Sequence, residues 1–290
     1  MLPGFECHGH TVLDGVYWKA ALERHRSGPD MAWVRSVLSA YRDANITYFR
    51  DGGDNLGVSE AARELAGEYG VRLVTPCFAI HKRGCYGKMV GLAWDTLTDY
   101  RALIRELKRR RADFVKIMIS GIISYETFGL VFGGGPEPEE IRELIRIAHG
   151  EGFAVMAHGN TPQAVLPALE AGVDSVEHGF FLDEECLSAM AETGAVWVPT
   201  HSTAAVLKGQ PGYDRQVTEQ IVISQGDSIR RAAELGVTIG CGSDAGAHLL
   251  PHGPATGIEY CVLERLLGER TNEILDKGCR EIEKRFVYPV

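Results

Sequence analysis

The stretch Phe5-Glu6-Cys7-His8-Gly9-His10 begins the chain with a short apolar segment that ends in two histidines. In a β-strand, residues i and i+2 point to the same side. His8 and His10 would therefore face one point, which is the arrangement that a metal ion requires. Taken alone, the pair is a weak signal that two packed or solvated histidines would also explain, so its meaning depends on the rest of the chain.

Short β-branched apolar runs alternate with longer segments of helical period along the whole sequence. This alternation is typical of repeated βα units around a parallel sheet. We predict eight strands, over residues 5–10, 46–51, 71–78, 114–120, 154–158, 175–178, 196–201 and 238–243. Helices are predicted near residues 30–44, 59–69, 95–110, 137–150, 161–171, 183–193, 214–235 and 254–268. The pattern favours an α/β fold with a single (β/α)8 TIM barrel domain over residues 1–290, and a doubly wound open sheet is the alternative.

Composition and charge limit the partners that the protein can have. A formal net charge of -9 argues against nucleic acid or an anionic membrane as a partner. No stretch approaches the roughly 18 continuous apolar residues of a membrane span, and the N-terminus lacks a signal-peptide pattern. Seven cysteines without a Cys-x-x-Cys pair fit a reducing compartment. We expect a cytoplasmic protein that acts on a small-molecule substrate, and the sequence leaves the oligomeric state open.

Further polar residues recur where the predicted strands end, and in a barrel these ends converge on one mouth. His158 ends the fifth strand, His178 ends the sixth, and Asp244 follows the eighth. Lys116 lies within the apolar fourth strand, where an unpaired ammonium is costly. If carbon dioxide adds to this amine, the resulting carbamate could bridge two metal ions. Such a set of nitrogen and oxygen donors matches the preference of zinc.

The order His-x-His, Lys, His, His, Asp along five strands resembles the metal-dependent amidohydrolase superfamily. Within it, the chain is most similar to the branch of imidazolonepropionase-like and prolidase-like enzymes. The stretches that carry the resemblance are residues 2–5, 49–53, 115–121, 171–179 and 242–246. Together they extend over roughly residues 2–260.

The resemblance implies a metal centre and a reaction. His8, His10 and Asp244 would bind one divalent ion, His158 and His178 would bind a second, and carboxylated Lys116 would bridge them; Zn²⁺ is the expected metal. The reaction would be hydrolysis of an amide-type bond in a cyclic amide, an N-acyl amino acid or a dipeptide. In the family mechanism a metal-bound hydroxide attacks the carbonyl carbon, and Asp244 moves the proton to the leaving nitrogen.

The chain departs from the family pattern in three places. One is the loop of residues 121–136, which lacks a match to the substrate-carboxylate recognition of related peptidases. Relatives usually carry a small β-sandwich domain, whereas only seven residues precede His8 here, so we expect a barrel without that domain. Where this branch often has a Gly-Gly-His-Gly loop, the sequence reads Gly84-Cys85-Tyr86-Gly87. Tyr86 and His81 are therefore candidates for substrate contacts, and so are His201 and His248 near later strand ends.

Three alternatives stay open at this point. One is a mononuclear deaminase-like hydrolase with an unmodified Lys116, although such enzymes usually need a glutamate near the fifth-strand histidine and residues 158–161 contain none. A second is a lactone hydrolase. The third is a barrel that binds metal without catalysing a reaction.

Overall fold

The computed structural model describes residues 4–289 and shows an α/β fold built on parallel strands. Leu2 and Pro3, which belong to the first stretch that carries the resemblance, lie outside this range. The strands within it are β1 (Phe5–Gly9), β2 (Tyr48–Asp51), β3 (Arg72–Val74), β4 (Ala79–Lys82), β5 (Gly91–Trp94), β6 (Val115–Met118), β7 (Ile122–Ile123), β8 (Val131–Phe132), β9 (Val155–Gly159), β10 (Ser175–His178), β11 (Val196–Val198) and β12 (Thr238–Ile239).

The α-helices of the same range surround these strands. They are α1 (Trp18–Arg24), α2 (Met31–Asp43), α3 (Val58–Ala66), α4 (Leu97–Arg109), α5 (Pro138–Gly150), α6 (Pro162–Glu170), α7 (Glu184–Thr193), α8 (Ser202–Ala205), α9 (Arg215–Leu235), α10 (Pro254–Leu267) and α11 (Thr271–Arg285). Short 3₁₀ helices cover Gly67–Tyr69 and Gly268–Arg270. From Gly4 to Pro289, no helix combines the length and the apolar character that a membrane crossing needs.

Each predicted strand and helix overlaps an observed one, so the alternation of the two element types is confirmed. The elements that the prediction missed are β4, β5, β7, β8, α1, α8 and α11. The third predicted strand, residues 71–78, is divided between β3 and a bend before β4. Cys77 lies at this bend in the left-handed region, at φ 63°, which interrupts the extended backbone.

Capping residues set several helix boundaries. Thr96 precedes α4 and forms a capping box with Asp99, one residue after the predicted start of this helix at residue 95. The side chain of Asp183 accepts a hydrogen bond from the Cys186 backbone N–H at the start of α7. Gly194 ends α7 in the left-handed conformation, at φ 71°.

The strands form two parallel sheets and a hairpin. One sheet has the order β1-β2-β3, the other has the order β12-β11-β10-β9-β6-β4-β5, and β7 pairs with β8 in an antiparallel hairpin. Backbone bonds also link β1 to the segment after β12. The Cys7 N–H donates to the Cys241 carbonyl at 2.9 Å, and the Asp244 N–H donates to the His8 carbonyl at 2.7 Å. These bonds bring the ends of the first and last strands together.

The alternation along β6 explains how the sequence buries a lysine. Val115 and Ile117 belong to the main hydrophobic core, whereas Lys116 and Met118 point to the opposite side and line a cavity. Lys116 is 1% exposed. Its position in the period-2 pattern thus directs the amine away from the helices and towards the ends of the neighbouring strands.

Candidate metal centre

His8, His10 and Asp244 form a compact group of candidate metal ligands. One ligand atom from each residue lies within 4.8 Å of the others, and no other such group of three occurs in residues 4–289. The Nε2 atoms of both histidines are 3.6 Å from Asp244 Oδ1. His8 lies in β1 and His10 directly follows that strand, and the Asp244 backbone is held beside β1 by its bond to the His8 carbonyl. Two imidazole nitrogens and a carboxylate oxygen suit a divalent ion such as zinc.

Lys116 lies directly against this group. Its Nζ atom is 3.1 Å from His8 Nε2 and 3.4 Å from His10 Nε2. Within the described chain, no carboxylate lies close enough to form an ion pair with this amine. Burial lowers the pKa of Lys116 to about 8, although the charge of Asp244 opposes that shift. The amine therefore lies among nitrogen ligands without a carboxylate partner of its own.

At Gly52 and Gly242 the backbone passes so close to the candidate ligands that there is no room for a side chain. A Cβ atom on Gly52 would clash with His10 Cε1 and would lie 2.8 Å from Lys116 Nζ. A Cβ atom on Gly242 would lie 2.7 Å from the His8 backbone nitrogen. Both positions need a residue without a side chain because the backbone passes so close to the candidate ligands.

Behind His8 lies a buried network of charged residues that the sequence reasoning missed as functional. His8 Nδ1 is 2.6 Å from Glu177 Oε2, and Arg50 Nη2 donates to both oxygens of that carboxylate at 2.9 Å. Ser175 Oγ donates to Glu177 Oε1 at 2.5 Å. All four side chains are fully buried. By accepting a hydrogen bond from His8 Nδ1–H, Glu177 would leave the unprotonated Nε2 atom of His8 facing His10 and Asp244. Charged residues inside apolar strands are the sequence signal that could have revealed this network.

His158 and His178 lie next to the group without joining it. Their ring centroids are 4.6 Å apart, and the His178 ring is 4.9 Å from the His8 ring. His178 Nδ1 is 2.8 Å from Thr200 Oγ1, which leaves its Nε2 atom unengaged. His158 Nε2 instead lies 3.0 Å from the Gly121 carbonyl oxygen. The structure thus brings all six predicted ligands into one region, but only three of them form a compact donor set.

The backbone is strained at two of these residues. His178 has φ 67° and Asp244 has φ 57°, a region that residues with a Cβ atom rarely adopt. Thr200, which contacts His178, also has a positive φ, at 46°. Strain of this kind costs roughly 1–3 kcal/mol per residue and tends to occur at functional sites. Here it coincides with the strand ends that carry the candidate ligands.

Burial sets the protonation states of the site. Desolvation lowers the pKa of His8, His10 and His178 well below the ordinary histidine value, and the nearby Lys116 charge lowers each of them further. Burial also raises the pKa of Asp244 to about 6. Neutral imidazoles at pH 7 are the form that binds metal.

Two adjoining cavities, of about 420 and 200 Å³, open above the group. His10, Lys116, His158, His178 and Asp244 line the larger one. Much of the remaining wall is apolar or aromatic and includes Leu13, Trp18, Met89, Met118 and Ile122. A small molecule in this space would contact the candidate ligands directly.

The structure brings two of the four candidate substrate-contact residues to these cavities. Tyr86 and His248 line both, and the Tyr86 ring packs 4.9 Å from the His158 ring. His81 and His201 lie outside the lining. His81 Nδ1 is 2.9 Å from the Lys82 carbonyl, and His201 Nδ1 is 2.8 Å from the Gln225 side chain.

A parallel α/β fold with a His-His-Asp group at its strand ends defines a candidate metal-binding protein of the α/β class. The chain belongs to the amidohydrolase family, which matches residues 32–273. The resemblance to the amidohydrolase superfamily that the sequence shows is confirmed.

Curated relatives are longer than this chain. Ochratoxinase from Aspergillus niger is 28% identical over 304 residues, which cover 90% of this chain and 61% of ochratoxinase. An uncharacterized protein from Mycobacterium tuberculosis is 29% identical over 156 residues, or 51% of this chain and 41% of that protein. The chain therefore spans about three fifths of the length of ochratoxinase.

Solved structures share the fold at low sequence identity. The crystal structure of A. niger ochratoxinase has a TM-score of 0.77 at 21% identity, covering 94% of this chain and 68% of that one. A Xaa-Pro dipeptidase with methionine bound in its active site has a TM-score of 0.74 at 20% identity, covering 98% and 76%. These likenesses establish the fold.

Proposed function

We propose that this protein is a metal-dependent hydrolase of amide-type carbon–nitrogen bonds. The observation that carries the proposal is the convergence of His8, His10 and Asp244 beside the buried amine of Lys116, at the floor of a cavity. Membership of the amidohydrolase family supports the reaction class. A relative that is named for dipeptide cleavage supports the amide bond as the target.

We also propose that the two parallel sheets form one (β/α)8 barrel. Residues 75–78 alone separate β3 from β4, so the chain passes directly from one sheet to the other. At the opposite edges, the His10 N–H donates to the Ala245 carbonyl at 2.7 Å. Closure of this kind supports a site in which residues from the first and last strands act together.

The donor set fits the metals that the family implies. His8, His10 and Asp244 would hold one divalent ion, and His158 and His178 would hold a second. Bound there, ions such as Zn²⁺ would acidify a water molecule and polarise the scissile carbonyl. The lack of a side chain at Gly52 lets His10 and Lys116 pack together beside Asp244, which supports a donor set that faces one point.

Lys116 is proposed to carry a carbamate between the two ion sites. Its neutral amine would attack carbon dioxide to form an N–C bond and would release one proton, which leaves an anion with two oxygens. The absence of a carboxylate partner at Nζ within the described residues supports this modification, because the carbamate would replace an unpaired buried cation with a metal ligand.

Asp244 is proposed to move the proton during hydrolysis. Its side chain is 19% exposed and lines both cavities, so a bound substrate could reach its oxygens. The carboxylate would take a proton from the attacking water and return it to the leaving nitrogen. A carboxylate placed between the candidate ligands and the cavity suits both steps.

One observation favours a single-metal alternative. The tautomer that donates from His158 Nε2 to the Gly121 carbonyl could not use the same nitrogen as a ligand. Occupancy of the second site would need this contact to break. The number of bound ions therefore distinguishes the binuclear proposal from the mononuclear one.

Metal analysis and a substrate screen would test the proposal. Chelator-treated protein is reconstituted with zinc in the presence and absence of bicarbonate, and its metal content is measured. We expect about two equivalents with bicarbonate, and less than one equivalent would contradict the proposal.

The reconstituted protein is then assayed with N-acyl amino acids, dipeptides, hydantoins, uncharged amides and lactones, with Asp244→Asn as the blank. Cleavage of amide-type bonds is the expected result. Cleavage of lactones alone would support the lactone alternative. Bound metal without any turnover would support the non-catalytic barrel.

A further inference from the structure

Charged groups are scarce in the cavities beside the candidate metal centre. Apart from the candidate ligands and Lys116, His248 is the one side chain with an imidazole, ammonium, guanidinium or carboxylate group on the described lining. Its Nδ1 atom is 3.0 Å from the Val16 carbonyl, and its ring stacks on Tyr213 at 6.2 Å. Part of its hydrogen-bonding capacity is therefore already used within the protein.

The walls around the reacting position are large and apolar. Tyr86 and Ile122 line both cavities together with Asp244, while Met89 and Met118 lie on the wall of the larger one. An amide whose carbonyl approached Asp244 would place the groups on either side of its C–N bond against these side chains. Apolar and aromatic groups would gain free energy from this burial.

We propose that the substrate is an uncharged amide, with apolar or aromatic groups on both sides of the scissile bond and without a carboxylate beside it. This inference rests on the amide hydrolysis proposed above. A carboxylate next to the scissile nitrogen would lie in the cavity without an arginine to bind it, and a carboxylated Lys116 would repel it. Burying an unpaired carboxylate is costly, and the net charge of -9 disfavours anions at longer range.

Cations do occur in a neighbouring groove. Lys19, Arg26 and Lys88 line a shallow groove that shares Trp18 and Met89 with the larger cavity. A long substrate with a distant anionic group could reach this groove, whose cations are not part of the lining around the candidate ligands. The inference therefore concerns charge near the bond that breaks.

A pair of matched compounds tests the inference. N-benzoylphenethylamine and N-benzoylphenylalanine contain the same scissile bond and the same rings, and they differ only by the carboxylate. With the zinc-reconstituted protein, we expect kcat/KM to be at least about tenfold higher for the neutral compound. Equal values, or a preference for the acid, would overturn the inference.

An added cation should reverse part of this preference. Val16 lines the larger cavity and is 73% exposed, so Val16→Arg can place a guanidinium at the rim without disturbing the core. We expect the variant to raise the relative kcat/KM of the acid severalfold. Ile223→Arg adds the same charge at an exposed position of α9 outside the lining and should leave the ratio unchanged. Equal ratios in the two variants would count against the inference.

Binding separates this inference from the proposed function. If neither compound is cleaved, the proposed hydrolysis fails for both, and their affinities are measured by quenching of tryptophan fluorescence, since Trp18 lines the cavity. Tighter binding of the neutral compound would support the inference even then. Tighter or equal binding of the acid, or no binding of either at millimolar concentration, would overturn it.

Discussion

Glu177 contributes no ligand to the proposed metal site, but it fixes the orientation of one. Its carboxylate contacts His8 Nδ1 and is itself held by Arg50 and Ser175. Partners of this kind set the tautomer and direction of a metal-binding imidazole. Glu177 is therefore a positioning residue, and its removal should be visible in metal affinity as well as in turnover.

We expect Glu177→Gln to weaken zinc binding about 10- to 100-fold, because the amide is a poorer acceptor for His8 and leaves Arg50 without its buried partner. Zinc affinity is measured by competition with a chromophoric chelator. Ser175→Ala removes one hydrogen bond to Glu177 but no charge, so it should have the smaller effect. Wild-type affinity in Glu177→Gln would show that this contact does not support the site.

Lys116→Met should separate function from stability. The substitution removes the buried amine and keeps a side chain of similar length in an apolar strand. In chelator-treated protein we expect the free energy of unfolding to stay equal or to rise by about 1 kcal/mol, while bicarbonate-dependent metal binding is lost. Denaturant unfolding and metal analysis check both parts. A loss of several kcal/mol in the metal-free variant would indicate that the amine is a structural group.

At the scale of elements, Glu259 connects α10 to the start of α8. Its two oxygens accept the backbone N–H groups of His201 and Ser202 at 2.9 and 2.6 Å, and the side chain is fully buried. Burial raises the pKa of Glu259 from 4.5 to about 7. The folded protein therefore keeps a proton that the unfolded chain releases between these two pH values.

This difference gives the stability a definite pH dependence. Because the folded-state pKa is raised, the stabilisation is complete below about pH 4.5 and is lost as the pH rises towards 7. Relative to Glu259→Gln, the free energy of unfolding of the wild type should fall by roughly 2–3 kcal/mol over that range. Urea unfolding of both chelator-treated proteins at pH 5 and 7.5 measures the difference. Parallel pH profiles would contradict the assignment.

Local sequence patterns predict part of the candidate site. The apolar residues around Lys116 marked its amine as a candidate, and strand-end positions predicted that His158, His178 and Asp244 would meet; all four residues line the larger cavity. Both features are local. The contact between Arg50 and Glu177 joins residues 127 positions apart, so no local pattern indicates that the two side chains pair.

Missed elements have a similar cause. The apolar run before β4 is interrupted by the left-handed Cys77, and α11 is rich in charged residues that hide its buried face. His158 Nε2 contacts the Gly121 carbonyl instead of facing the candidate ligands. The position of that carbonyl is set by the conformation of a loop. Loop geometry follows from tertiary packing rather than from periodicity.

At the scale of the whole molecule, the candidate metal centre joins distant parts of the chain. His10 lies near the start of the described residues and Asp244 lies after the last parallel strand, and their ligand atoms are 3.6 Å apart. An ion held by both would cross-link the first and last strands of the fold. Since the unfolded chain cannot keep these residues together, binding must stabilise the folded state.

Zinc should therefore raise the unfolding temperature of the protein. At a free zinc concentration 100 times the dissociation constant, the stabilisation is about 2.7 kcal/mol, which corresponds to a shift of a few degrees for a chain of this size. His10→Ala removes one ligand and should lose most of the shift. His149→Ala removes a partly exposed histidine that pairs with Asp174, at the end of β10 opposite to His178, and this variant should keep the shift. An equal shift in both variants would mean that zinc acts at surface histidines. It would contradict the hypothesis that an ion held by His10 and Asp244 cross-links the first and last strands.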